Sequence, residues 1–510
     1  MSEKQKNVVA KLSWWHSFPT LKSQLMARII LRARYPYRRC ISLLRGRMSE
    51  RHLQLLMRVC ERIRFRLAPV ETSLSSVPAP IPSSATVLPD WIVAEMRELS
   101  VIEPAIYPLP ELLADFHCWI PPADPYPGQL YQEMLCDFLS WRPQIVFLIP
   151  HLMRGGADLG TLHHLNLCCE AGLRVTVVIT RDVKSAWRDR IPNQARVVEF
   201  GQLTRYVSEE DRRLILLRLL LQSTARRLHL INSELGWQLF ELFGRSLVSE
   251  GIQLFASVYC DDINSYGVRC SYSTEYLPRV WQYLSAIVSD NRQFLKEIQR
   301  RDGLPAERMH ALYFPSSPPI ACSTTGGQKV LWASRMTAQK RPELLLEIVC
   351  ALPDVMFEIF GEADSSCSSD TLRHLASLAN VRLGGSFDSF TELAACGNWG
   401  LFLYTSAYDG LPNVLLEATV AGLPVVAETV GGVGELIDSR TGFPLSPGAD
   451  CAAYVARIRE VLADPVEAMR RVTHAQDVVR HRHAWESFHQ GVRSIPGYWP
   501  IEDGGALSLS

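Results

Sequence analysis

The stretch Leu401-Phe-Leu-Tyr-Thr-Ser-Ala-Tyr-Asp409-Gly-Leu-Pro-Asn413-Val-Leu-Leu-Glu417-Ala-Thr-Val-Ala421-Gly-Leu-Pro424-Val-Val-Ala427 reads as strand, loop, helix and second strand. Residues 401–404 and 424–427 are short apolar runs, the pattern of parallel strands buried on both faces. A tight Gly-Leu-Pro turn precedes a helix expected over 413–421. Two carboxylates, Asp409 and Glu417, stand eight positions apart around that turn. The helix N-terminus leaves backbone N–H groups near Asn413, Val414 and Leu415 free to bind phosphate oxygens. Glu417, one turn in, is an acceptor-only side chain suited to a ribose diol. The plainer reading of Glu417 is a solvated helix carboxylate favoured by the dipole.

The same grammar extends on both sides. Residues 329–333 form a strand, 334–341 a loop, and Pro342 takes a first helical position before a helix to about Cys350. A strand over 355–360 and a helix over 370–379 follow. Earlier, Ile145-Val-Phe-Leu-Ile149 is a buried strand, and Arg154-Gly155-Gly156-Ala157 is a loop. A helix over about 158–171, a C-cap at Gly172 and a strand over 175–179 complete a Rossmann-like unit. The expected fold class is therefore α/β, with two Rossmann-like, doubly wound domains facing a cleft. The boundary falls near 315–328, and ligands in such folds bind beyond the carboxyl ends of the strands. Five segments result: a basic extension (1–67), a Pro/Ser-rich linker and lead-in (68–140), a first Rossmann-like domain (141–315), a second (316–482), and a closing helix and tail (483–510).

Arg335 and Lys340 follow a buried strand five positions apart, where two cations can neutralise a diphosphate. Surface loops carry such pairs for no purpose, so the pair gains meaning only beside 409–417. Gly155 and Gly156 permit close backbone approach, but they do not form the Gly-x-Gly-x-x-Gly fingerprint. His151 precedes them and is a candidate acceptor or sugar contact; a structural histidine at a strand end is the alternative.

Together these motifs resemble the retaining glycosyltransferases with two Rossmann-like domains, known as family 4 or group 1 and as GT-B in fold. The resemblance covers about 141–497 and is most specific in the second half. It implies a nucleoside-diphosphate-sugar donor held by Gly155, Gly156, Arg335, Lys340, Asp409, Gly410, Leu411, Asn413, Val414, Leu415 and Glu417. Asp409, Arg335 and Lys340 would take the catalytic roles. It also implies a same-face displacement in which the departing phosphate helps deprotonate the acceptor hydroxyl. The implied acceptor is a growing, lipid-linked bacterial glycan of the O-antigen, capsule or exopolysaccharide type.

Two departures stand out. The family usually has glutamate where this chain has Asp409, one methylene shorter. The family's histidine at the end of a middle strand is absent from Leu254-Phe-Ala-Ser-Val-Tyr-Cys-Asp-Asp262, so Tyr259, Cys260 or Asp261 must occupy that place. Asp261 is taken as a second candidate acceptor or sugar contact. Ser289-Asp290-Asn291 resembles the family's Ser-Asn, read as a strand-end cap. No two aspartates lie two positions apart, so no Asp-x-Asp metal motif is present and neither metal nor cofactor is expected. The alternatives are a non-catalytic scaffold subunit of a polysaccharide assembly complex and a nucleotide-sugar epimerase.

Composition sets the frame. The 510 residues are 47% hydrophobic and 21% charged, as in folded proteins with real cores. The net charge of zero hides a split: residues 1–66 hold 16 Lys+Arg against 3 Asp+Glu, whereas the rest holds 37 basic against 50 acidic. Leu53, Leu56, Met57, Cys60, Ile63 and Leu67 share one helical face, with Arg51, Arg58 and Arg62 opposite. Residues 1–67 are therefore read as an attachment arm for an anionic membrane surface; docking on the acidic body or on glycan-assembly partners is the alternative. Nucleic-acid binding is not expected of an acidic body without a nucleic-acid motif. The 13 scattered cysteines, with no Cys-x-x-Cys pair, suit reduced thiols. No signal peptide and no run of ~18–20 apolar residues is recognisable. The expected location is cytoplasmic, peripheral at the inner face of the plasma membrane.

Overall fold

The computed structural model describes residues 88, 90–110, 113, 126–264, 266–319, 327–364, 366–387 and 389–499. The basic extension, the linker through residue 87, residues 320–326 of the interdomain segment, and the tail from residue 500 lie outside the described residues.

Among the described residues nine strands belong to the first half: β1 (Ile145–Ile149), β2 (Val175–Ile179), β3 (Arg196–Val198), β4 (Arg227–Ile231), β5 (Gln253–Ser257), β6 (Asp262–Ile263), β7 (Arg269–Cys270), β8 (Leu284–Ser289) and β9 (Met309–Ala311). Seven of them form one parallel sheet in the order β3-β2-β1-β4-β5-β8-β9, while β6 and β7 make a separate antiparallel hairpin. Register runs Ile145↔Val175 on one side of β1 and Ile145↔Arg227 on the other. The continuous apolar run in β1 follows from its place between neighbours and layers: all five of its residues are buried. At about 1.5–3 kcal/mol per buried aliphatic or aromatic side chain, β1 alone contributes on the order of 10 kcal/mol before chain entropy is counted.

Residues 90–140 show no clear pattern in the sequence beyond a helical lead-in. The structure has α1 (Asp90–Ser100) and α2 (Tyr126–Trp141) there. Leu99, Leu130, Tyr131, Met134 and Phe138 join the core on one face of the first sheet. Glu95 accepts from Gln222 at 2.8 Å and pairs with Arg218, which lies over the Tyr131 ring. The crossover helices are capped as the chemistry requires. α3 (Gly156–Glu170) follows the Gly-Gly loop. α4 (Glu209–Gln222) starts at Ser208 with three acids in its first turn, and α5 (Glu234–Ser249) starts at Ser233. α6 (Arg292–Asp302) is capped by Asn291 and ends at left-handed Gly303.

The second half repeats the plan. β10 (Lys329–Ala333), β11 (Met356–Phe360), β12 (Val381–Gly385), β13 (Trp399–Tyr404), β14 (Val425–Glu428) and β15 (Phe443–Leu445) form a parallel sheet in the order β12-β11-β10-β13-β14-β15. α7 (Pro342–Ala351) has Pro342 at its start, and α8 (Asn413–Val420) follows the Gly-Leu-Pro turn. α9 (Pro465–Arg482) packs along α8, with Gln476 Nε2 donating to Thr419 O at 3.3 Å. α10 (Trp485–Ser494) then returns to the first domain. Its Phe488 and Val492, with Ile495 and Tyr498 beyond it, sit in the core under β1, β2 and β5. Arg227 donates to Gly497 O at 2.9 Å, and His229 Nδ1 lies 2.7 Å from the Tyr498 hydroxyl. Where the two crossings meet, Ser316 N–H donates to His483 O at 2.9 Å, and His483 Nδ1 lies 2.7 Å from Phe314 O. Among the described residues no helix is long and apolar enough to cross a membrane.

Candidate active site between the two sheets

A cavity of about 790 Å³ is lined from both halves of the chain. One wall comes from the loop after β1 (His151, Gly155, Gly156), from Asp158 on α3, and from Tyr259, Cys260 and Asp262 beyond β5. The other comes from Arg335, Lys340 and residues 409–414. Ten of the residues singled out in the sequence therefore meet at one place: His151, Gly155, Gly156, Arg335, Lys340, Asp409, Gly410, Leu411, Asn413 and Val414.

The loop after β10 aims its cations differently. Arg341 takes a left-handed conformation (φ 52°) and turns inward, where it bonds Thr405 O, Glu428 and the Tyr454 hydroxyl. Lys340, one residue earlier, points into the cavity. Its Nζ donates to the Tyr404 hydroxyl at 2.7 Å and to Asp409. The Tyr404 hydroxyl donates to the same Asp409 oxygen, and the Gly410 N–H reaches the other at 3.0 Å. Asp409 is thus engaged through both oxygens, by a lysine, a buried tyrosine and a backbone amide. The loops are tied to each other as well: Gln339 Nε2 donates to Tyr408 O at 2.7 Å, and Ala407 N–H to Gln339 O at 2.9 Å. Gly431 closes the arrangement from below. Its φ is +49°, and a Cβ there would stand 1.9 Å from Asp409 O, so no other residue fits. Arg335 is exposed to the cavity and has no ion-pair partner among the described residues.

Asn413 and Val414 open α8 at the cavity. The Leu415 N–H is already bonded to Pro412 O at 3.0 Å, and the Leu415 side chain is fully buried in the sheet core. Leu415 is therefore a packing residue that supports the helix start. Glu417 lies half-buried one turn on and is not part of the cavity lining. No hydrogen bond or ion pair among the described residues holds its carboxyl, and burial pushes its pKa from 4.5 up to about 7.

Asp261 is placed elsewhere. It is buried, accepts from Ser271 Oγ at 2.5 Å and Ser273 Oγ at 2.6 Å, and pairs with Arg301 at 2.7 Å. These bonds anchor the β6–β7 hairpin, and the next residue, Asp262, faces the cavity instead. Of the residues named for the missing histidine's place, Tyr259 and Cys260 line the cavity. His151 also lines it, with Nδ1 buried and unpartnered. Gly155 has an extended backbone (φ −169°) that any residue adopts. A Cβ there would crowd Asp158 Oδ2 at 2.9 Å, and one on Gly156 would meet Asn413 Nδ2 at an ordinary 3.5 Å.

Sequence reasoning did not single out three carboxyls around the cavity. Burial raises the pKa of Asp158, whose Oδ1 accepts the Met153 N–H at 3.0 Å. Burial also raises that of Asp262, with Asp261 and Asp409 adding to it. Asp290, fully buried, is pushed up to about 7. Position alone offered a hint for Asp158, an acid in the first turn of a helix after Gly-Gly; Asp290 was read only as part of a cap.

Comparison with known proteins bears on the fold and the second domain. Residues 327–464 match the family model described as "Glycosyl transferases group 1". A glycogen synthase of Mycobacterium tuberculosis is 29% identical over 169 residues, 32% of this chain and 41% of that protein. The chain thus spans about two fifths of the length of that relative. A GDP-mannose-dependent monoacylated alpha-(1-6)-phosphatidylinositol monomannoside mannosyltransferase of Corynebacterium glutamicum is 26% identical over 275 residues, 51% of this chain and 67% of that one. Among solved structures, Anabaena Alr3699/HepE in complex with UDP and glucose is similar in fold, with a TM-score of 0.56 at 17% identity, covering 69% of this chain and 98% of that one. The second half of this chain thus carries a group 1 glycosyltransferase domain, and the two-sheet fold around it is of the GT-B type.

Proposed function

We propose that the chain is a retaining glycosyltransferase. It moves a sugar from a nucleoside-diphosphate-sugar to a growing, lipid-linked glycan of the O-antigen, capsule or exopolysaccharide type. One observation carries the reading. Two cations, Arg335 and Lys340, and the start of α8 converge on one interdomain cavity, with the Glu417 carboxyl, which has no partner among the described residues, one turn further along that helix.

In this reading the diphosphate lies across Arg335, Lys340 and the amides at Asn413 and Val414. An exposed guanidinium and a helix N-terminus stabilise the charge that develops as the sugar–phosphate bond breaks. Lys340 keeps Tyr404 and Asp409 as fixed partners and turns its third proton, which otherwise reaches Ser406 Oγ at 3.4 Å, to the phosphate. Glu417 accepts the ribose hydroxyls. These cations do the work that a metal would do elsewhere, so the reading is metal-independent. The leaving phosphate takes up the acceptor proton, and no dedicated base is assigned. The arm at 1–67 would bring the enzyme to an anionic membrane, at its cytoplasmic face, where lipid-linked acceptors reside.

One observation favours the scaffold reading: Asp409 already occupies Lys340. Calorimetry with UDP-, GDP-, dTDP- and ADP-sugars separates the two. Selective binding that is lost in Arg335→Ala/Lys340→Ala supports the transferase and identifies the donor. A folded protein that binds none of them favours a scaffold that has kept the fold and lost the chemistry.

A further inference from the structure

The two domains are joined at the site itself. Asp290, between β8 and α6 of the first domain, accepts the Leu411 N–H of the second at 3.1 Å through Oδ2. Its Oδ1 accepts from Asn291 Nδ2 at 2.7 Å, and Asn291 is fixed by a second bond to Tyr259 O at 3.1 Å. The neighbouring residue in the loop has to be small. A Cβ on Gly410 would stand 2.9 Å from Asp290 Oδ2 and 3.2 Å from Tyr259 O. A few residues on, the Gln293 N–H donates to Glu435 Oε1 at 2.7 Å, so the same first-domain segment grips the second domain twice.

Leu411 lies two residues from Asp409 and two from Asn413. A carboxyl that fixes its amide fixes the loop that presents Asp409 to Lys340 and starts α8 at the cavity. We propose that Asp290 is a positioning residue for the donor site: from the opposite domain it holds the Asp409-Gly410-Leu411 loop in place when the cleft is closed. This rests on the donor site being where the preceding reading puts it.

The chemistry gives the latch a direction with pH. Both Asp290 oxygens face N–H donors, which suits a carboxylate; a protonated carboxyl turns one acceptor into a donor. Burial opposes the charge, and Asp409 and Glu435 across the cleft oppose it further, so that its pKa lies at about 7. On its own side the titratable neighbours are Tyr259 and Cys260, both raised by burial and uncharged at neutral pH. The latch is therefore strongest above about pH 7 and loosens below it.

Amide hydrogen exchange of the full chain, read in a peptide containing Leu411 and corrected for intrinsic exchange at each pH, tests this without turnover. Asp290→Asn keeps the volume but offers one acceptor oxygen to two facing donors. Gly410→Ala pushes the loop from the other side. In each, protection at Leu411 should fall about tenfold, the size of one charge-assisted hydrogen bond, while the sheet cores keep theirs. Wild-type protection at Leu411 should fall from pH 8 to pH 6, and Asp290→Asn should be flat. UDP, as the probe, should bind about tenfold more weakly to Asp290→Asn at pH 8. Unchanged protection at Leu411 in both variants overturns the latch. Protection lost evenly through the chain makes Asp290 merely structural, and unchanged UDP affinity with a loosened loop overturns the positioning role. If the wild type binds no donor, the transferase reading fails, while exchange still decides whether the latch exists.

Discussion

Glu417 is the most exacting test of the donor site, because it ties stability and binding to one proton. Its carboxyl is half-buried, no hydrogen bond or ion pair among the described residues holds it, and its pKa rises from 4.5 to about 7. The unfolded chain releases this proton near pH 4.5, while the folded chain holds it to about pH 7. Between those values the folded state binds more protons, so stability falls as pH rises; the contribution is full below about pH 4.5 and lost above about pH 7. A shift of that size corresponds to about 3 kcal/mol, an upper figure for a group that keeps some contact with solvent. Glu417→Gln has no charge to bury. It should melt several degrees above wild type at about pH 8.5, and the gap should narrow as pH falls below about 7 and close only near pH 4.5. Binding should move the other way. The carboxylate accepts both ribose hydroxyls and the amide only one, so Glu417→Gln should lose roughly 1.5–3 kcal/mol of UDP affinity at pH 8. Wild-type affinity should climb from pH 6 to pH 8, and the variant's should climb less. Thermal melts and calorimetry with UDP at four pH values give both curves. A variant no more stable than wild type at pH 8.5, with UDP affinity unchanged, would refute the burial argument and the ribose role together.

Arg335→Ala should weaken UDP binding by roughly 1.5–3 kcal/mol and leave the melting temperature unchanged, because the side chain is exposed and has no ion-pair partner among the described residues. Lys340→Ala should weaken UDP binding and also lower the melting temperature, since it strands Asp409 and Tyr404; equal melting of the two variants would contradict this network. Tyr404→Phe removes one hydroxyl from a fully buried position and should cost about 1–2 kcal/mol in urea unfolding, with a neutral result showing that Lys340 and Asp409 pair without it. Deleting residues 1–66, with their 16 Lys+Arg, should release the protein from anionic vesicles at ~0.15 M salt, and persistent sedimentation with vesicles would place the anchor elsewhere.

What could be read from the chain follows from how far each signal reaches along it. The strand–loop–helix–strand of 401–427 is local: apolar runs, a Gly-Leu-Pro turn and a helix with its own start all lie within 27 positions. Its elements appear as β13, α8 and β14. Arg335 and Lys340 are legible for the same reason, as cations just past a buried run. Asp261 and Asp262 are adjacent, and which of two neighbours faces a cavity depends on how the hairpin is seated. Ser271, Ser273 and Arg301 decide that, and they lie 10 to 40 residues away. Leu415 shares a helix start with Asn413 and Val414, but the turn at Pro412 has already claimed its amide. Tyr404 reads as one more apolar residue of a strand, and its hydroxyl acquires a role only when Lys340 arrives from 64 positions away. Asp290 meets Leu411 across 121 positions and a domain boundary, a pairing no local pattern encodes.

The shorter acid at position 409 gains a physical reading from these contacts. An aspartate there places its carboxylate within reach of Lys340, Tyr404 and the Gly410 amide at once, and all three are used. Three of the roughly four acceptor sites of this carboxylate are taken before any donor arrives, so it offers a bound sugar little beyond the one that remains. Its main effect is on Lys340, whose ammonium it holds in one orientation at little further entropic cost when a diphosphate enters. On the proposed transferase reading the acid at this position would act through the lysine, and the sugar would be read by the opposite wall, where His151, Asp158 and Asp262 stand with Tyr259 and Cys260. Donor choice in this chain would accordingly be set more by the first domain than by the loop whose sequence first identified the site.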